Sequence, residues 1–225
     1  MRGILSDLKS GVAPGCGGLR PEYATILGQY IDDEGMDLTE EFGMAYLRGD
    51  LPAWFYRVVQ SVQTVGLYKT DGGLRPLGMK HTFIKCCHKE VFIQNKQAIM
   101  EYLQPLQLGQ SKGGAAKLIF SVRALLDANP EFVCIRLDLK NAYNEQFRRA
   151  IIDVCQSIPA LRHLAHFLAI TLAPFSGMEY GGVLWGETGE GVAQGDPASS
   201  FEFCLGVQPS LETLNKEASE DGRMA

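Results

Sequence analysis

The sequence lacks any apolar run long enough to cross a bilayer. Its longest such stretch, around His163 to Phe175, is interrupted by His163 and His166 and falls short of the roughly 20 residues that a span needs. A secretory leader is missing from expectation too, because Met1-Arg2-Gly3 leads into a mixed segment with Asp7 and Lys9 instead of a sustained apolar core. An intracellular protein, nuclear or cytoplasmic, is therefore expected. The six cysteines show no CxxC spacing, and Cys86 and Cys87 are adjacent, which suits neither a zinc knuckle nor a disulfide framework; reduced, mostly buried thiols are expected. His163 and His166 share a helical spacing, but no acidic or thiol ligand clusters with them, so packing or surface roles are favoured over a metal site. Repeats and low-complexity linkers are absent.

Excess positive charge is also missing: the net charge of the 225 residues is −5, unusual for a protein whose main partner is nucleic acid. The charge is unevenly spread, however. Between Lys69 and Lys96 lie Lys69, Arg75, Lys80, Lys85, Lys89 and Lys96 against Asp71 and Glu90, whereas Asp32 to Asp50 is strongly acidic. The basic window is where a polyanion would be held, with a solvated helix face as the alternative. At 46% hydrophobic and 21% charged residues, the composition is that of a globular chain with a substantial core.

Breaker-rich residues 11 to 18 precede a helix from Pro21 through Ile31. A second helix is expected over Thr39 to Leu47, capped by Thr39, and a third amphipathic piece from Pro52 to about Leu67. Gly72-Gly73 marks a β-hairpin around Lys69 to Gly78. Helical periodicity returns over Phe83 to Tyr102 and over Ala115 to Ala128, where Leu118, Ile119, Val122, Leu125 and Leu126 form an apolar stripe expected to be core. Phe132 to Lys140 alternates, with Val133, Ile135, Leu137 and Leu139 on one face and Cys134, Arg136 and Asp138 on the other, so a strand is expected with Asp138 at its C-terminal end. Helices follow over Glu145 to Ser157 and Leu161 to Thr171. Gly182 to Gly186 and Gly191 to Gln194 flank a Glu-Thr-Gly-Glu turn, a second hairpin. Pro197 begins the last helix with Asp196 as N-cap, and Pro209 kinks or breaks it.

Gly109-Gln-Ser-Lys-Gly-Gly114 has the spacing of a phosphate-binding loop, but Ala115 and Ala116 stand where a lysine and a hydroxyl residue are required, which excludes that reading. Leu137-Asp138-Leu139-Lys140-Asn141-Ala142-Tyr143-Asn144 is more informative. It puts a carboxylate at a strand end and an aromatic ring five residues later, and Val192-Ala193-Gln194-Gly195-Asp196-Pro197 opens a helix some fifty residues on. Nucleotidyl transfer uses two divalent ions bridged by carboxylates on rigid elements. A strand-end aspartate suits one such ligand, although alone it is a weak signal.

Taken together, these segments resemble the reverse transcriptases (RNA-directed DNA polymerases) of non-LTR, LINE-type retrotransposons. Five islands carry the resemblance in order along nearly the whole chain: Ala13 to Pro21, Leu74 to Gly78, Gly113 to Leu118, Leu137 to Asn144, and Gln194 to Pro197. It implies an α+β polymerase right-hand fold, with an N-terminal extension and fingers over residues 1–130 and an incomplete palm over 131–225, without a thumb. It also implies that Asp138 ligates Mg²⁺ with the Leu139 carbonyl as a second contact, and that Tyr143 stacks under the incoming sugar and rejects a ribose 2′-hydroxyl. Arg75, assisted by Lys69, would grip the triphosphate, while Gln194 and Gly195 line the nucleotide pocket. An ordinary packed aromatic is the alternative for Tyr143, and Asp196 reads as a cap, not a metal ligand.

The expected partners are an RNA or DNA template with primer, and a deoxynucleoside triphosphate (dNTP). The sequence departs from the family in its third palm motif, an aromatic-x-Asp-Asp hairpin, which does not follow the helix begun at Pro197. The expectation is a truncated mobile-element copy, inactive alone, with a non-catalytic nucleic-acid-binding or protein-interaction remnant as one alternative. A split enzyme completed by a palm or thumb segment in trans is another.

Overall fold

The computed structural model describes residues 1–70, 72–172 and 176–220. Asp71, Phe175 and the tail after Glu220, which figured above, lie outside them. The fold is α+β. Its helices are α1 (Arg2–Ser6), α2 (Pro21–Tyr30), α3 (Asp33–Arg48), α4 (Ala53–Val59), α5 (Thr82–Gln94), α6 (Lys96–Leu103), α7 (Gly114–Ala128), α8 (Arg148–Ser157), α9 (Arg162–Leu172) and α10 (Ser199–Glu220). The strands are β1 (Val62–Tyr68), β2 (Leu74–Met79), β3 (Ser176–Tyr180) and β4 (Val183–Thr188).

One sheet runs in the order β2-β1-β3-β4. It consists of two antiparallel hairpins joined by a parallel pairing of β1 with β3, Val62 opposite Met178. Pro76 sits in β2, at the sheet edge, where the missing N–H of proline is tolerated. The main core packs Phe92, Ile99 and Leu103 of α5 and α6 against Ile151 and Cys155 of α8, Leu164 and Leu168 of α9, and Leu205 of α10. Two smaller clusters gather around Leu5 with Met36, and around Tyr46 with Tyr56 and Ile84. Sheet and main core alike draw residues from both sides of position 130.

Several local expectations are corrected. The second helix starts at Asp33 because Asp32 Oδ1 accepts the Gly35 N–H at 2.8 Å, the bond an N-cap makes; Thr39 lies mid-helix and donates to the Gly35 carbonyl. The third helix ends at Val59, and the β-branched run beyond it becomes β1, which gains partners on both sides. Asn95 splits the Phe83 to Tyr102 helix in two. The second hairpin turns at Gly181-Gly182, not at Glu187 to Glu190. Both glycines have positive φ, 59° and 82°, the conformation of a two-residue type I′ turn matched to strand twist. Pro209 lies inside α10 without ending it.

The largest departure spans Ala115 to Asn141, where no side chain is buried. The helix α7 forms as the periodicity predicts, but its stripe is not core: Leu118, Ile119 and Leu125 are exposed. Residues 132–139 form neither strand nor helix, and Val133, Ile135 and Leu137 are 83%, 78% and 80% exposed. Periodicity identifies an apolar face, not what covers it. Here no described element does.

Candidate functional site

Three segments far apart in sequence meet beside the β1–β2 hairpin. The second motif is pinned to the first by backbone and side chain: Val192 N–H donates to the Tyr143 carbonyl at 2.8 Å and Gly191 N–H to the Gln146 carbonyl at 2.9 Å. Gln194 Nε2 donates to Asn144 Oδ1 at 2.9 Å. Gly195 N–H donates to the Gly78 carbonyl of β2 at 3.1 Å, and a Cβ on Gly195 would lie 2.6 Å from that same oxygen. The glycine is thus required by a neighbouring backbone, which only a residue without a side chain can approach so closely.

These segments enclose a cavity of about 90 Å³ lined by Pro76, Gly78 and Lys80, by Asn144 and Arg148, and by Ala193 and Gln194. At that volume it is a notch for water, below the roughly 300–1,000 Å³ of small-molecule sites. Arg148, at the start of α8, fixes one wall by donating to the carbonyls of Gly191 (2.7 Å), Leu172 (3.1 Å), Thr188 (3.2 Å) and Glu190 (3.2 Å).

The remaining predicted site residues are not all gathered here. Tyr143 is half-buried, its ring 5.0 Å from that of Phe203, as a packed aromatic would be. Arg75 is exposed on β2 opposite Leu67, and Lys69 is exposed at the hairpin end; neither lines the cavity. Asp138 falls in the irregular segment 132–139, exposed and outside the cavity lining, which corrects the expectation of a strand end. Leu139 borders a shallow recess with Phe203 and Val207 of α10. Among the described residues no three His, Cys, Asp or Glu side chains are grouped to hold a metal ion. Asp138 belongs to no such group.

Sequence reasoning missed a buried polar chain behind the cavity. Gln60 Nε2 donates to the Tyr46 hydroxyl at 2.6 Å, which bonds His88 Nε2 at 2.8 Å, and His88 Nδ1 bonds Asp196 Oδ2 at 2.8 Å. Lys80 Nζ reaches the same carboxylate oxygen at 2.9 Å. Asp196 Oδ1 accepts the Ala198 N–H at 3.0 Å, but the helix expected from Pro197 begins at Ser199, three residues past Asp196, so Asp196 braces the turn before the helix and is not its N-cap. Although burial opposes ionisation, His88 and the Lys80 ammonium hold the Asp196 carboxyl far below its ordinary range. An ionised Asp196 accepts a hydrogen bond from Nδ1–H of a neutral His88, and Tyr46 then donates to Nε2. Burial lowers the His88 pKa and raises that of Tyr46.

Close by, Glu202 is fully buried, and neither carboxyl oxygen makes a hydrogen bond of ordinary geometry, the Ser199 hydroxyl being the one side-chain donor near enough to draw its pKa down. Burial pushes its pKa up to about 7, with Asp196 adding to the rise against the pull of Lys80 and Arg148. Lys80 stands beside His81 and His88 beside Lys89, so no local signal marked them for burial. Pairing them across more than a hundred positions needed the fold.

On the other side of Gly195 and Pro197, Lys9, Lys85 and Lys89 border an open groove of about 400 Å³ together with Asp7. No helix among the described residues is long and apolar enough to cross a membrane. In comparison with known proteins, the chain matches no family model and no curated sequence.

Proposed function

We propose that this chain is the fingers and partial palm of an RNA-directed DNA polymerase of the non-LTR retrotransposon type, engaging an RNA or DNA template with primer. The observation that carries the reading is the convergence of Gly78, Asn144 and Gln194-Gly195, one from each of three resembling islands, through direct hydrogen bonds. Arg75 and Lys69 on the exposed hairpin are the groups that would meet dNTP phosphates. Of the carboxylates that the chemistry requires, the chain contributes Asp138, so this 225-residue chain binds primer–template without extending it. The lysine-bordered groove favours a second reading, nucleic-acid binding with no catalytic role in any assembly.

The test is a labelled primer–template duplex titrated with the chain, then offered dNTPs and Mg²⁺. Expected is salt-sensitive binding, each phosphate contact adding roughly 0.7 to 0.9 to the log-log slope, weakened by Arg75→Ala and Lys85→Ala but not by Lys216→Ala. Equal affinities and slopes for all three variants would defeat the reading. Extension abolished by Asp138→Ala would overturn the claim of inactivity and uphold the polymerase assignment.

A further inference from the structure

The exposed segment 132–139 has the sequence of a strand and no strand partner among the described residues. None of its backbone groups from Val133 to Leu139 has a backbone partner among the described residues. Its side chains would alternate, if extended, between an apolar row (Ile135, Leu137, Leu139) and a charged row (Arg136, Asp138). An exposed row of unpaired peptide groups is a template for strand addition, and contiguous exposed apolar surface on a soluble fold marks an interaction site.

The charge pattern selects the occupant. In an antiparallel pairing of two identical strands about a two-fold axis through Leu137, each residue faces the one equally displaced on the other side. Arg136 then faces Asp138 of the second copy and Asp138 faces its Arg136, while on the opposite face Ile135 meets Leu139 and Leu137 meets Leu137. Both rows are self-complementary in this register. Sliding either strand by two positions separates the charge pairs and places Arg136 opposite Arg136 or Asp138 opposite Asp138, which is unfavourable.

We propose that two copies of this chain associate through antiparallel pairing of residues 133–141 about Leu137, an isologous contact of the kind two-fold dimers use. A two-stranded ribbon alone is marginal in water, so one face needs cover. The helix α7, joined to the segment by the short connection at 129–131, brings exposed Leu118, Ile119 and Leu125 for it. The proposal shares Asp138 with the polymerase reading but does not rest on it, and its readout, self-association, is independent of nucleotide incorporation.

Sedimentation velocity of the full chain over a range of concentrations is the first test, and a monomer–dimer equilibrium is expected. Arg136→Asp puts two aspartates opposite each other at both ends of the register and should raise the dissociation constant at least about fivefold, as should Asp138→Arg. The double variant Arg136→Asp with Asp138→Arg restores both ion pairs and should restore the wild-type constant. In a Cys134→Ser background, Leu137→Cys should form an intermolecular disulfide under mild oxidation, since position 137 faces itself. All the substituted positions are exposed, and circular dichroism checks that each variant is folded. A chain that stays monomeric at every concentration overturns the proposal. So does a dimer indifferent to the single charge reversals, or one the double reversal fails to restore.

Discussion

Replacing Glu202 with glutamine should stabilise the protein, and the gain should depend on pH. Glu202 is fully buried without a hydrogen bond of ordinary geometry, and burial pushes its carboxyl from an ordinary 4.5 up to about 7. The folded state then binds that proton more tightly than the unfolded chain does. Between 4.5 and about 7, stability falls as pH rises, because the unfolded state has already released a proton that the fold must still give up. Above that window the full penalty is present, about 3 kcal/mol by the conversion of 1.36 kcal/mol per pH unit. His88 works in the opposite sense: with its pKa lowered by burial, it adds stability as pH rises toward 6.5. Asp196, held low, contributes above the ordinary carboxylate range and loses its contribution only in acid. Both groups remain in Glu202→Gln, so their own pH dependence is common to variant and wild type and the difference reports Glu202 together with its coupling to Asp196 and Lys80.

Urea denaturation followed by circular dichroism at several pH values is the assay. The variant should match the wild type near pH 4.5 and exceed it by up to about 3 kcal/mol at pH 8. A difference independent of pH, or a variant less stable at pH 8, would refute the reasoning. It would mean that Lys80 and Arg148 hold Glu202 ionised as a structural partner.

Two further outcomes follow from packing and exposure. Gly195→Ala places a Cβ 2.6 Å from the Gly78 carbonyl oxygen and should lower stability by roughly 1–3 kcal/mol, the usual cost of overpacking; an unchanged melting temperature would show that the Gly195 turn separates freely from β2. In native protein a thiol reagent should modify Cys134 rapidly, the sole cysteine classed as exposed, while Cys86, Cys87 and Cys155, buried with pKa values pushed up to about 11, 12 and 12, should react only after denaturation. Fast modification of several thiols in the folded state would contradict that packing.

Local signals told the truth about local structure. The proline at α2, the glycine pair of the first hairpin, and the apolar periodicity of α7 and α9 all gave elements close to those observed. Failures came where two signals of similar strength competed, as at the second hairpin, where Gly181-Gly182 outweighed a polar turn. They came again where burial depended on a partner, as for Leu118 and Leu137. The segments around Asn144 and Gln194 were legible as motifs and do meet. The positions of Asp138 and Arg75 relative to them were not legible, since an alternating pattern does not specify which sheet receives a strand. The Tyr46–His88–Asp196–Lys80 chain was invisible for a related reason. Each member is an ordinary polar residue until distant parts of the chain enclose it.

The parallel pairing of β1 with β3 also sets an order of events during folding. Each hairpin is a local structure that closes in microseconds, but joining them requires the chain to bring five intervening α-helices, α5 to α9, into a closed loop. Contacts of such sequence separation form late and slow the search. The bond between His88 and Asp196, 108 positions apart, is a contact of the same long-range kind.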